Sequence, residues 1–432
     1  MWEERTRRWL LALFFAALSL PVAIQQAALG LLLAFLVYSL VAVRVAARRQ
    51  AAPAVPDAPR PPPRVPPSLS TPLNFPLALF FGALLLSTLC SPDALNSLAG
   101  YRKLWLVGAF FVTYSLTKDR GEVSWLVSVW VASAAVVAAY GVVQHFTGID
   151  WARELVGKPS NLDPFWFGRQ EGFRTKGLHP SGITYAHNLL LPLVFLTVPL
   201  FSAATSWRQR LLRVTGWGLM VFALLFSLTR GVWVAYLVVL LLLGAVKGRN
   251  ALLGAAGGLV ALGLFLLSAG AGVQERASSL FDLKQNLGRS QIWQANLDMI
   301  RERPLLGWGY GNYRKFRDPY YRRYPGADTT AHAHNTLLQI WVDAGLLGLG
   351  AFLFLFAVIL KKGWDAYGRL AEPWRGIALG GVLGVVGFLL GGMTQHNFGD
   401  AEAVIALWAA VGVLMRLAAE TPLARAPGGS VW

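Results

Sequence analysis

Gly376-Ile-Ala-Leu-Gly-Gly-Val-Leu-Gly-Val-Val-Gly-Phe-Leu-Leu-Gly-Gly-Met-Thr-Gln395 runs for twenty residues without one charged side chain. A helix of about 20 residues covers the hydrocarbon core of a bilayer. Apolar residues follow one another here with no strand-like alternation, so the stretch reads as a helix that crosses a membrane. Gly380, Gly384, Gly387 and Gly391 recur at helical spacing, which marks a face for close helix packing.

Working outward from this block, similar ones of about 17–25 residues recur along the chain. Twelve spans are expected, near 9–24, 27–46, 74–90, 101–117, 124–146, 181–202, 211–228, 231–247, 251–269, 336–360, 376–395 and 401–418. The fold class is an all-α integral membrane protein. Composition agrees: 55% of residues are hydrophobic and 14% charged, against about a quarter charged in soluble domains. The charged N-terminus followed by an apolar run resembles a signal peptide. Pro21 and Gln25-Gln26 lead straight into a second block, so an uncleaved first span is expected. The single cysteine, Cys90, excludes an intramolecular disulfide and is expected to be packed at the end of its block.

A net charge of +17 would suggest nucleic acid in a soluble protein. Here the enrichment of Lys and Arg on cytoplasmic segments accounts for it, and no nucleic-acid partner is expected. With the N-terminus inside, 21 Lys and Arg fall on inside segments and 3 (Arg102, Lys103, Arg230) on the short outside ones. Both termini are therefore expected in the cytoplasm. The Pro- and Arg-rich segment 51–72 reads as a flexible cytoplasmic linker. Segment 270–335, between spans nine and ten, reads as a large folded loop outside. Its amphipathic part, Ser290–Arg303, places Ile292, Trp293, Leu297 and Ile300 roughly on one face, and the loop is expected to rest on the membrane surface.

Topology gathers a set of polar residues on the outer side. Arg174 and Lys176 precede the sixth span, and Arg230 occupies the tight turn before the eighth. Arg289 opens the loop helix. His334 and Asn335 begin the tenth span; His396, Asn397 and Asp400 lie between the last two. Arginines fixed at a surface suit a phosphate or pyrophosphate through paired, charge-assisted hydrogen bonds. A histidine at a helix N-terminus is disfavoured from protonating and stays available as a base. Blander readings exist for each. Outer arginines bind lipid headgroups, and interfacial histidines are often structural. His187-Asn188 reads as structural. Asp400-Ala401-Glu402 serves as a helix cap or as a short acidic metal motif. His332 and His334 lack an evident third ligand. The loop tyrosines form an interfacial belt or a sugar-stacking surface.

These residues carry a resemblance. His334-Asn335, nine residues, Gly345, two residues and Gly348 resemble the His-Asn-x9-Gly-x-x-Gly pattern of the O-antigen ligase family, which also embraces O-antigen polymerases and protein O-oligosaccharyltransferases. Ser227-Leu-Thr-Arg230-Gly231, Gly288-Arg289-Ser290 with Trp293, Arg303-Pro-Leu-Leu-Gly307-Trp-Gly309-Tyr-Gly311-Asn312, and Asn397-Phe-Gly-Asp400 with Trp408 add to it. It is concentrated in 225–410, which divides the chain into an N-terminal transmembrane bundle, 1–225, and a ligase-like membrane domain, 226–420. The resemblance implies a GT-C-like enzyme of the bacterial inner membrane with its site on the periplasmic side. The implied donor is a glycan on undecaprenyl pyrophosphate, and the acceptor is a glycolipid or glycan, the lipid A core for ligases. Membrane lipids surround both. The implied reaction inverts the anomeric carbon and uses no cofactor and no metal. By position, His334 is the implied base, Arg289, Arg230 and Arg174 hold the pyrophosphate, and Asn335, Gly345, Gly348 and Asp400 support them. A polymerase or protein glycosyltransferase would differ in its acceptor. A lipid-linked glycan transporter would need a polar path from both sides, which a one-sided cluster does not supply.

Overall fold

The computed structural model describes residues 2–51, 69–167, 170–201, 206–249, 253–254, 257, 283–327 and 332–419. The ninth expected span, most of the Pro/Arg linker, the first part of the outside loop and Arg425 lie outside the described residues. In chain order the described helices are α1 (Trp2–Ala17), α2 (Val22–Ala51), α3 (Asn74–Leu89), α4 (Ala94–Gly100), α5 (Gly108–Leu116), α6 (Arg120–Thr147), α7 (Trp151–Glu154), α8 (Gly182–Leu200), α9 (Trp207–Phe226), α10 (Arg230–Lys247), α11 (Leu283–Glu302), α12 (Tyr313–Phe316), α13 (Asp318–Tyr321), α14 (Thr336–Arg369), α15 (Trp374–Gly392) and α16 (Ala401–Ala418). Among the described residues, eight of these are long and apolar enough to cross a membrane: α2, α6, α8, α9, α10, α14, α15 and α16.

Several expected boundaries move. The first block, 9–24, is cut by a turn: α1 ends at Ala17 and α2 starts at Val22, just after Pro21. Gln25 Nε2 donates to the carbonyls of Leu18 and Leu20, at 3.0 and 2.9 Å, satisfying groups that the turn leaves without helical partners. The block 101–117 divides into a 3-10 turn, Tyr101–Val107, and the short α5. An antiparallel hairpin, Pro164–Phe167 with Gln170–Phe173, precedes Arg174. Cys90 is exposed rather than packed. The loop helix α11 starts seven residues earlier than expected, so Arg289 sits inside it rather than opening it. Its buried face is Ile292, Ala295, Met299 and Ile300, while Leu297 faces outward.

The bundle is centred on α8 and α16, of which 83% and 89% are buried, against 22% for the peripheral α2. The glycine face of α15 makes the closest contacts, as its spacing requires. A Cβ on Gly380 would come within 2.9 Å of Phe195, and one on Gly384 within 3.0 Å of Leu191. One end of the bundle holds a network of charges. Arg7 donates to both carboxylate oxygens of Glu122 at 2.8 Å, and Arg416 caps the carbonyl of Lys118 at 2.8 Å. The residues singled out above lie at the other end.

The tenth block is not one continuous helix. At Gly345 the backbone turns to φ +65°, ψ −170°, a region L side chains avoid. The break leaves carbonyls and amides without helical partners, which is untenable inside a membrane unless something replaces them. The loop strand 304–309 does so. Trp308 N donates to Val342 O and Gly309 N to Asp343 O, both at 2.9 Å. Leu346 N donates to Pro304 O at 2.8 Å. A Cβ on Gly345 would lie 2.2 Å from the backbone of Leu305, and one on Gly307 2.6 Å from Gly345 N. Both glycines are required by this close approach. Asn312 then staples the loop to the α3–α4 corner, donating to Ser91 Oγ at 2.7 Å and accepting from Asn96 at 2.6 Å.

Candidate functional site

Asn335 is the N-cap of α14. Its Oδ1 accepts from the amides of Leu337 and Leu338, at 2.9 and 3.2 Å, and its Nδ2 donates to Met393 O at 3.1 Å. The cap thus ties the start of α14 to the turn that follows α15. His334 stands just before it with φ +50°. Among the described residues, two non-glycine positions have left-handed backbone, Leu228 and His334. Such strain costs of order 1–3 kcal/mol and clusters at functional sites. Leu228 lies two residues before Arg230.

The 393–400 turn gathers the site. Gln395 Oε1 accepts from His334 Nδ1 at 2.7 Å. Thr336 Oγ1 donates to Asn397 Oδ1 at 3.1 Å, and Asn397 Nδ2 donates to Phe388 O at 2.7 Å. The rings of His332 and His334 are 4.5 Å apart, and those of His332 and His396 5.8 Å. Gly231, beside Arg230, abuts Thr394 of the same turn. Arg174 Nε donates to Ser227 O at 2.6 Å, which places it against the strained corner that precedes Arg230. Asp400 accepts from Thr184 Oγ1 at 2.7 Å through Oδ2. It occupies the N-cap position of α16 but makes no capping hydrogen bond there. Its side chain instead links the last two spans to α8.

His334, Arg230, Arg174 and Asp400 thus share one end of the bundle through three adjoining segments. Arg289 is half-buried on α11, where desolvation lowers its pKa. Gly345 and Gly348 act on the helix rather than on the site surface: a Cβ on Gly348 would meet that of Ala344 at 2.2 Å. Lys176 is taken up by a buried ion pair with Asp150 at 2.8 Å. Tyr313, Tyr320 and Tyr321 are buried in the loop's own core, with Tyr313 and Tyr321 hydroxyls 2.7 Å apart, so they offer no stacking surface.

Sequence reasoning missed three residues. Gln395 binds His334. Arg314 faces His332 from the loop. His179 is buried near Asp400. The available signal was that Gln395 adjoins His396 in one polar turn. Burial pushes His332 down to about 4, with the neighbouring His334 and Arg314 adding to it. Burial likewise pushes His396 down to about 3, with His332 and Lys103 adding to it. Both imidazoles are neutral at pH 7. Among the described residues, no three His, Cys, Asp or Glu side chains form a metal-ligand set.

Residues 216–353 match the family model described as O-antigen ligase. The chain carries an O-antigen ligase domain. That domain contains Arg230, Arg289, His334, Asn335, Gly345 and Gly348; Arg174 and Asp400 lie outside the matched residues. The chain is also 26% identical over 204 residues to the O-antigen ligase of Salmonella typhimurium (strain LT2), covering 43% of this chain and 49% of that relative. The aligned part of the ligase domain and its neighbours therefore spans about half of the relative's length.

Proposed function

We propose that this chain is a glycosyltransferase acting at the outer face of the bacterial cytoplasmic membrane. It moves a glycan from undecaprenyl pyrophosphate to an acceptor hydroxyl, that of the lipid A core in ligases. In this reading the division into a supporting bundle, 1–225, and a ligase domain, 226–420, is kept. The observation that carries the reading is the convergence of His334, on strained backbone, with the segments bearing Arg230, Arg174 and Asp400. An apolar cleft of about 730 Å³ between α14 and α15, ending at Thr336 and Asn397, adds room for a lipid chain beside it.

The chemistry follows from what the reaction needs. A sugar hydroxyl is a weak nucleophile, whereas pyrophosphate leaves readily once its charge is met. His334 Nε2 takes the hydroxyl proton as the oxygen attacks the anomeric carbon. The bond from that carbon to the pyrophosphate oxygen breaks, with inversion. Arg230, Arg289 and Arg174 hold the departing charge. Purified protein given lipid-linked glycan and acceptor tests this. His334→Ala is expected to lower transfer by about 10²–10⁴-fold with donor binding retained, and His332→Ala by much less. Activity is expected to persist in excess EDTA. Loss in EDTA restored by magnesium or manganese would overturn the arginine account in favour of Asp400 and Glu402.

A further inference from the structure

The side-chain amide of Gln395 has one acceptor end and one donor end, and a histidine stands at each. Oε1 lies 2.7 Å from His334 Nδ1, and Nε2 lies 3.3 Å from His332 Nε2. A separation of 2.7 Å suits N–H···O, so the proton of this contact belongs to Nδ1 of His334. A neutral imidazole carries one proton, which leaves Nε2 of His334 with a bare lone pair. The backbone N–H of His334 also points at His332 Nδ1, 3.3 Å away. A neutral ring has one acceptor nitrogen, so Gln395 and that backbone amide compete for His332.

We propose that Gln395 is the positioning residue that selects the tautomer of His334 and leaves its Nε2 as the proton acceptor, an inference that rests on the reading of His334 as the base. A neutral amide suits the task. A carboxylate in its place would fix the same tautomer but favour the imidazolium, leaving the ring protonated where it must accept. After proton transfer the ring carries hydrogens on both nitrogens, and Nδ1–H stays on Oε1 with no rearrangement. The charged and titratable groups around the pair are few. Neutral His332 and His396 flank it, Arg314 and Asp400 act on His332 with opposite signs, and Lys103 acts on His396. The reversed amide would donate to Nδ1 and put the proton on Nε2, so the orientation is the content of the proposal.

The full-length chain contains six histidines, few enough for ¹⁵N-histidine NMR in lipid, with His334→Gln to assign the site. At about pH 7, Nε2 of His334 is expected to resonate as an unprotonated nitrogen and Nδ1 as a protonated one. Gln395→Leu should mix the tautomers and lower kcat by about 10- to 100-fold, leaving the donor KM unchanged. Gln395→Glu should restore the tautomer and move the acidic limb of the pH–rate profile to higher pH. A protonated Nε2 in the wild type, or an unchanged kcat in Gln395→Leu, overturns the proposal. The failures separate: a His334→Ala protein that still transfers glycan removes the base reading and this inference with it. An inactive His334→Ala beside a protonated wild-type Nε2 removes this inference alone.

Discussion

Gly231 and Thr394 touch so closely that a methyl group on the glycine would come within 1.9 Å of the threonine hydroxyl. This contact joins the residue after Arg230 to the residue before Gln395, and so couples the first turn of α10 to the support of His334. Gly231→Ala is expected to push these segments apart. A misplacement near 1 Å costs roughly 10²-fold in rate, so transfer should fall by about that factor. Gly218→Ala, where the added methyl meets nothing within 4 Å, should keep full activity and gain up to about 1 kcal/mol of helix stability. Transfer rates and Tm in detergent check both; equal rates would mean that the contact does not set the site.

Arg230 and Arg289 come from a span and from the loop helix, and the proposed pyrophosphate must meet both. An experimental structure with donor bound should place their guanidinium groups within about 15 Å, the reach of two such side chains across one pyrophosphate. Replacing either by Ala should weaken donor binding by about 1.5–3 kcal/mol, the loss of a charge-assisted hydrogen bond. Lys should rescue poorly, since it lacks the planar fork. Rescue by Lys at both positions would leave only a requirement for positive charge.

Stability should depend on pH through His332 and His396. Their folded values, about 4 and about 3, lie below the ordinary 6.5. Between those limits the unfolded chain binds more protons than the native one. The contribution is therefore whole above 6.5 and is lost as pH falls toward the folded values. Tm should fall steadily on acidification through that window, and His396→Asn should flatten the fall. A Tm that does not change there would show that these rings are not desolvated as described.

Sidedness follows from the charge distribution. A reporter active only outside the cytoplasm should be active when fused within 275–330 and silent when fused at 51–70 or 425. The inverse pattern would put His334 on the cytoplasmic side and end the proposed function.

The membrane-spanning helices were legible because their signal is local: an uncharged block of sufficient length needs no partner to be recognised. The His334–Gly348 spacing was legible as a motif, but its physical meaning was not. That Gly345 breaks a helix depends on Pro304, Leu305 and Trp308 arriving from elsewhere in the chain. Gln395 stayed hidden for the same reason, since a glutamine gains its role only from the two rings at its ends. Arg289 was recognised by its neighbours, yet its place within α11 was misjudged, because Ser290 reads locally as a helix start. The tyrosines misled because burial in a small loop core leaves the same composition as an interfacial belt.

The docking of 304–309 into the gap at Gly345 also bears on biogenesis. A growing chain emerges N-terminus first, so the strand that completes α14 is already made when α14 itself is synthesised. The broken span would otherwise carry bare amides and carbonyls into lipid. Its lateral release into the bilayer thus depends on a segment threaded ahead of it. A chain rearranged so that 304–309 followed α14 would ask the membrane to hold an unfinished helix until its missing turn arrived.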